Sequence, residues 1–130
     1  MVDTNSIMKC ISAKQKLIQK LTIDKNEIYT MIQQKMLIKA NTKIKMTPKQ
    51  ISGYRKFFIV YDYEIHELNK QIVNLRDALK KTQAAMLKNL LTNNISGTYG
   101  FINEVECVQN GLIGGLEKVI SIGEKTLEIL

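Results

Sequence analysis

The chain has 130 residues, of which 45% are hydrophobic and 24% are charged, a composition typical of one globular domain rather than of a disordered or fibrous protein. Its formal net charge of +7 favours negatively charged partners, such as nucleic acid, acidic lipid or an acidic protein. The apolar runs are too short to span a bilayer, and charged residues interrupt the region where a signal peptide needs an apolar core. We therefore expect a single domain over residues 1–130, without a membrane span, in an intracellular setting with the cytoplasm as the default compartment.

The first segment is predicted to be a helix over residues 5–40. Apolar residues recur at intervals of three and four, the period of an amphipathic helix, and no Pro or Gly interrupts the segment. The main stripe consists of Ile7, Ile11, Ile18, Leu21, Ile28 and Ile32. Further apolar residues are expected to lie beside this stripe and widen it: Cys10, Leu17, Met31 and Ile38. The connection to the next segment is short, which favours an antiparallel neighbour.

The second segment, residues 48–92, carries the most regular pattern in the chain. Thr47, Pro48 and Gln50 have the types and spacing of a capping box, which marks where the helix begins. With heptad position a at Ile51, ten of the twelve a and d sites are apolar or aromatic, which indicates a coiled-coil helix. The a sites are Ile51, Phe58, Ile65, Ile72, Leu79 and Met86, and the d sites are Tyr54, Tyr61, Leu68, Leu75, Thr82 and Asn89. We therefore predict that the first two helices pair as a long antiparallel hairpin.

Residues 100–130 form an acidic C-terminal segment whose conformation the sequence leaves open. A helical stripe consists of Phe101, Val105, Val108, Leu112, Leu116, Val119 and Leu127. The glycines that interrupt it are Gly111, Gly114, Gly115 and Gly123, each of which costs about 1 kcal/mol of helix stability relative to Ala. Three interpretations fit: one helix whose glycines allow close approach to a neighbour, two shorter helices, or a β-hairpin turning at Asn110-Gly111. If the segment is helical, it returns along the hairpin, and the predicted fold is all-α and three-helix bundle-like.

The chain offers little of the chemistry that catalysis, metal binding or cofactor binding requires. His66 is the sole histidine, which leaves no hydrolytic triad and no zinc ligand set. Cys10 and Cys107 are the two cysteines, and we expect both thiols to be reduced and buried. No phosphate-binding glycine motif is intact. We therefore predict a nonenzymatic protein without a cofactor or a metal.

The run from Phe57 to Tyr61 is apolar all the way round a helical turn, so the second helix is expected to be buried on two sides. One side would face the first helix, and the other would face the C-terminal segment or a second copy. The candidate partner-binding residues on that second face are Phe57, Ile59, Val60 and Tyr63, and the candidate contacts for an acidic partner are Lys43, Lys45 and Lys49. The predicted function is an assembly, adaptor or structural subunit that acts through helix–helix contacts with a protein partner or with itself.

An alternative function follows from the uneven distribution of charge. Met1 to Lys49 contains ten lysines and three acidic residues, whereas the segment after Asn93 is net acidic. All ten cations are Lys rather than Arg, which suits phosphate attraction better than base recognition. The alternative is therefore nonspecific nucleic-acid binding by the Lys-rich N-terminal half.

Overall fold

The computed structural model describes residues 4–42, 45–92 and 98–130, and the elements in these ranges are three α-helices. α1 spans Thr4–Asn41, α2 spans Pro48–Thr92 and α3 spans Thr98–Ile129. The prediction of an all-α, three-helix bundle-like fold is confirmed. α1 and α2 begin and end within one residue of the predicted ranges, because the capping box and the absence of Pro and Gly from α1 are local signals.

α1 and α3 run parallel, side by side. Near the start of both helices, the Gln109 Nε2 atom donates a hydrogen bond of 3.0 Å to the carbonyl oxygen of Ile11. Near their ends, the Lys35 Nζ atom lies 3.4 Å from the carbonyl oxygen of Leu127. One contact joins the first parts of the two helices and the other joins their last parts. The C-terminal segment therefore runs in the same direction as α1, as predicted for a helical tail.

α2 runs antiparallel to α3 and packs closely against it. The Gln50 Nε2 atom, in the first turn of α2, donates to the carbonyl oxygen of Ile129 at 3.2 Å. Further along, the Lys118 Nζ atom lies 2.8 Å from the Glu64 Oε1 atom. The order of the bundle is therefore up, down, up.

α3 lies between the other two helices, which corrects the predicted pairing of α1 with α2. Among the described residues, no Cα atom of α1 comes within 8 Å of a Cα atom of α2, whereas α3 approaches both helices within this distance. α1 and α2 are antiparallel as predicted, but the close partner of each is α3. The heptads of α2 indicated that it has a close helical neighbour without indicating which helix that is.

The buried residues of α3 recur at alternating intervals of three and four along the helix. They are Ile102, Val105, Gln109, Leu112, Leu116, Val119, Gly123 and Thr126. This spacing keeps one narrow line of side chains turned toward neighbouring helices. The predicted apolar stripe missed Gln109, Gly123 and Thr126, because a search for apolar residues passes over amide, glycine and hydroxyl positions, and it contained Phe101 in place of the buried Ile102.

α3 is one continuous helix, so the first of the three interpretations of this segment is confirmed. Two of its glycines allow close approach. A Cβ atom on Gly115 would lie 3.1 Å from Cδ2 of Leu68, and one on Gly123 would overlap the Ile28 side chain. At Gly111 and Gly114 a Cβ atom would meet none of the described residues within 4 Å, so their packing does not require glycine there.

The buried side of α2 is rotated from the predicted seam by about 60° around the helix axis, because the d sites stay buried and the residues just before the a sites replace the a sites. The predicted d sites Leu68, Leu75 and Thr82 are buried, and the Thr82 hydroxyl donates to the carbonyl oxygen of Ala78 at 2.8 Å. The predicted a sites that the structure describes are half-buried, apart from Ile72, which is 37% exposed. Phe57, Glu64 and Ala78, each one residue before an a site, are buried instead. α2 turns this side toward α3, and the a site Phe58 meets Tyr29 of α1 edge to face.

α1 is the least covered helix. In the described part of the chain, its buried apolar residues are Ile11 and Ile32. The line that was expected to widen its stripe faces outward instead: Cys10, Leu17, Met31 and Ile38 are all exposed. Cys107 is exposed as well, so the expectation of two buried thiols is wrong, and both cysteines are free.

Candidate functional site

The outward side of the first three turns of α2 forms a groove, which we call the basic groove. Its lining residues are Pro48, Ile51, Ser52, Arg55, Lys56, Ile59 and Val60. Most of the lining surface is apolar, and the two cations stand in its middle turn. An apolar surface bordered by charged residues is typical of a protein-binding site.

The start of the groove is held by the capping box at the N-terminus of α2. The Gln50 amide N–H donates to the Thr47 Oγ1 atom at 3.2 Å, and the Thr47 amide N–H donates to the Gln50 Oε1 atom at 3.0 Å. The other end of the same side chain, Gln50 Nε2, donates to the carbonyl oxygen of Ile129. One glutamine therefore caps α2 and also fastens it to the last turn of α3.

The groove is backed by a cluster of aromatic rings on the inner side of α2. Tyr29 of α1 stacks on Tyr61 with 4.4 Å between the ring centroids, and it meets Phe58 edge to face at 5.8 Å. Phe57 and Tyr54 complete the cluster through contacts with Phe58. These large side chains bridge the gap between α1 and α2, whose backbones stay apart.

The predicted partner-binding residues divide between the surface and the core. Ile59 and Tyr63 are 71% and 63% exposed, and Val60 is half-buried in the wall of the groove. Phe57 is 1% exposed and meets the C-terminal segment, one of the two alternatives for the second face, so it is not accessible to a partner. It lies one residue before a predicted a site, on the side of α2 that packs near Gly123, and so it belongs to the core.

Of the lysines predicted to meet an acidic partner, Lys45 precedes the groove and Lys49 follows its first lining residue, Pro48. Lys45 and Lys49 are exposed, and Lys43 lies outside the described residues. Between Glu27 and Asp62 the sequence contains no acidic residue and seven cations: Lys35, Lys39, Lys43, Lys45, Lys49, Arg55 and Lys56. The positive charge is thus concentrated at the end of the bundle where α1 ends and α2 begins.

Two titratable groups beside the aromatic cluster are shifted by their surroundings. Burial lowers the pKa of Lys25, whose Nζ atom lies 6.0 Å from the ring centroid of Tyr61. Burial, followed by the charges of Tyr29 and Asp62, raises the pKa of Tyr61.

A second exposed apolar surface, which the sequence did not reveal, lies on α1. Ile23, Leu37 and Ile38 are 58%, 62% and 60% exposed, and Met31 is 48% exposed. The first two were not assigned to any face, and the last two were placed in the widened inner stripe. A helical wheel centred on Ile11 and Ile32 places these residues away from the buried side of α1. A search for apolar residues at intervals of three and four does not make that distinction.

The described ranges contain no group of three or more His, Cys, Asp or Glu side chains that could hold a metal ion. None of the helices in the same ranges combines the length and the apolar content that crossing a membrane requires.

No protein-family model, curated protein or solved structure matches the chain. Its function is therefore inferred from its own geometry and charge.

Proposed function

We propose that the protein is a nonenzymatic assembly or adaptor subunit that binds another chain through helix–helix contacts at the basic groove. The observation that carries this proposal is the exposure of Ile59 (71%) and Tyr63 (63%), which the chain's own helices leave uncovered. Apolar side chains exposed beside a groove gain free energy when a partner removes them from water.

The rigidity of the groove supports the same function. The capping box and the Gln50 bond to Ile129 hold one end, and the ring stack of Tyr29 and Tyr61 holds the side toward α1. A surface that is ordered before binding loses little conformational entropy when its partner docks. An ordered groove therefore favours specific docking over nonspecific hydrophobic association.

The test places a photoactivatable cross-linking residue at Ile59 and, as a matched control, at Lys80, which is exposed on the same helix. In cells that express the protein, the Ile59 position is expected to yield discrete protein adducts, and the Lys80 position is expected to yield none. The same ladder of adducts from both positions, or no adduct at Ile59, would contradict the proposal.

A charge variant checks that the groove acts as a surface and not as core. Ile59→Lys is expected to leave thermal unfolding, followed by circular dichroism, nearly unchanged and to abolish cross-linking from Tyr63. Phe57→Lys, in contrast, is expected to unfold the bundle because it buries a charge at a position that is 1% exposed. Unfolding of the Ile59→Lys variant would place Ile59 in the core.

Nonspecific nucleic-acid binding stays the second candidate function, and the acid-free stretch from Glu27 to Asp62 favours it. Its test is the fluorescence anisotropy of a labelled DNA duplex across a range of salt concentrations. If lysines contact phosphates, the logarithm of the affinity falls linearly with the logarithm of salt, and Lys45→Glu/Lys49→Glu reduces the slope by about 2. Absence of binding at low salt removes this candidate.

A further inference from the structure

We infer that the partner segment that the basic groove accepts is an acidic amphipathic helix from a different protein. This inference rests on the proposed function and adds the chemistry of the partner. Three features of the groove carry it: its direction, its apolar lining and its unbalanced charge.

The groove runs along α2. Ile51, Arg55 and Ile59 succeed one another at intervals of four residues, so they stand in line on the helix surface. From Pro48 to Val60 the groove covers about 18 Å at 1.5 Å per residue, which matches about three turns of an incoming helix. A helix that lays its apolar side chains in such a groove is a recurring mode of peptide recognition.

The charge of the groove has no counterpart in the described part of the same chain. Arg55 and Lys56 form no ion pair among the described residues, and the first acidic residue of α2 is Asp62. The N-terminus of α2 adds the partial positive charge of a helix dipole at the same place. A partner helix that carries carboxylates beside its apolar face would be attracted by all of these charges.

A second copy of the chain fits this groove poorly. The exposed apolar surface of α1 is accompanied by Lys16, Lys20 and Lys35, which would be repelled by Arg55 and Lys56. On α3, Glu117, Glu124 and Glu128 share one exposed face, but none of the exposed large apolar residues among the described ranges lies on this helix, so α3 of a second copy offers carboxylates without a free apolar face for the groove. Two copies at +7 also repel each other as wholes.

Nucleic acid and a lipid surface fit less well than a helix for different reasons. A phosphate backbone offers no apolar group for Ile51, Ile59 and Val60 to contact. A bilayer surface is broad, whereas the groove is confined to one side of three helical turns. A single helix of opposite charge satisfies both the apolar lining and the cations.

The test uses two synthetic helical peptides that share Leu at positions i, i+3, i+4 and i+7 and differ in their flanking residues, which are Glu in one and Lys in the other. Binding to the ¹⁵N-labelled full chain is followed by amide chemical shifts. The Glu peptide is expected to shift Ser52, Lys56 and Ile59, and to bind at least about tenfold more tightly than the Lys peptide at low salt. Equal affinity of the two peptides would overturn the inference.

Charge reversal locates the effect. Arg55→Glu/Lys56→Glu is expected to weaken binding of the Glu peptide about tenfold or more, and Lys16→Glu/Lys20→Glu, with the same change in net charge, is expected to leave it nearly unchanged. Equal losses in both variants would mean that net charge alone attracts the peptide. Displacement of the Glu peptide from Ile59 by a DNA duplex, or by phosphatidylserine vesicles, would assign the groove to those partners instead.

The two proposals fail in distinguishable ways. Discrete protein adducts at Ile59 together with no preference for the Glu peptide would keep the adaptor function and refute the acidic helix. Absence of adducts and absence of peptide binding would refute both.

Discussion

α3 and α1 run parallel in the same bundle, yet they are covered to very different extents. Over the 32 residues of α3, a buried position follows every three or four residues. α1 is longer, with 38 residues, but Ile11 and Ile32 are its buried apolar residues in the described ranges, and it leaves Ile23, Leu37 and Ile38 about 60% exposed. The difference teaches that coverage follows a helix's place in the bundle, since a central helix has neighbours on two sides and a flanking helix has one.

The largest expected effect sharpens this comparison directly. Leu112→Ala removes a side chain that is 1% exposed in α3 and should lower the free energy of unfolding by about 2–5 kcal/mol. Leu37→Ala makes the same change at a 62% exposed site in α1 and should alter it by less than about 0.5 kcal/mol. Urea unfolding followed by circular dichroism measures both, and similar losses would show that α1 is covered as well as α3.

A pair of glycine variants separates the two faces of α3. Gly123→Ala places a methyl group against Ile28, with Cε2 of Phe57 at 3.3 Å, and should destabilise the protein by about 1–3 kcal/mol. Gly114→Ala meets open space and should stabilise it by about 1 kcal/mol through helix propensity. Differential scanning calorimetry measures both melting temperatures. A higher melting temperature for both variants would contradict the close packing of α3 at Gly123.

The polar position in the buried line of α3 gives a smaller effect. Gln109 is fully buried and donates to the Ile11 carbonyl oxygen, while its Oε1 atom has no hydrogen-bond partner among the described residues. Gln109→Leu removes the orphaned acceptor and should raise stability in urea by about 1 kcal/mol. It should also loosen the register of α1 on α3, because a buried polar group fixes register.

The register of α1 on α3 can be measured by cross-linking the two free, exposed cysteines. Cys10 lies one residue before Ile11, and Cys107 lies two residues before Gln109. A short bis-maleimide should link Cys10 to Cys107 within one chain in the wild type, and Gln109→Leu should give a slower and more heterogeneous reaction. Unchanged cross-linking kinetics in the variant would show that apolar packing alone sets the register.

The smallest expected effect concerns the rings that hold α1 to α2. Because the folded-state pKa of Tyr61 is raised above 10.0, the native state keeps its phenol proton to higher pH than the unfolded state does. Stability from this group is complete below pH 10 and is lost as the pH rises through the folded-state pKa. Tyr61→Phe should therefore unfold less steeply with pH above about 10 than the wild type. Parallel melting curves for the two proteins across this range would contradict the assignment.

The sequence by itself determined the local features of this protein. The bounds of α1 and α2 follow from apolar periodicity, from the Thr47–Gln50 capping box and from turn-forming residues, all of which act over a few residues, whereas for residues 100–130 the sequence left three interpretations open. The sequence also placed Ile59 and Tyr63 on a second face of α2, but it left open whether the C-terminal segment or a partner would cover that face.

Only the tertiary structure decided which helix is central and which residues are therefore core. The spacing in α2 is compatible with any helical neighbour, so it could not show that α3 would lie between α1 and α2. Gly123 and Gln109 occupy the buried line of α3 because helix proximity and a hydrogen bond across the bundle make them fit. Phe57 is buried and Ile38 is exposed for the same reason. The sequence of a helix determines its apolar periodicity, but the positions of the neighbouring helices determine which side of it is buried.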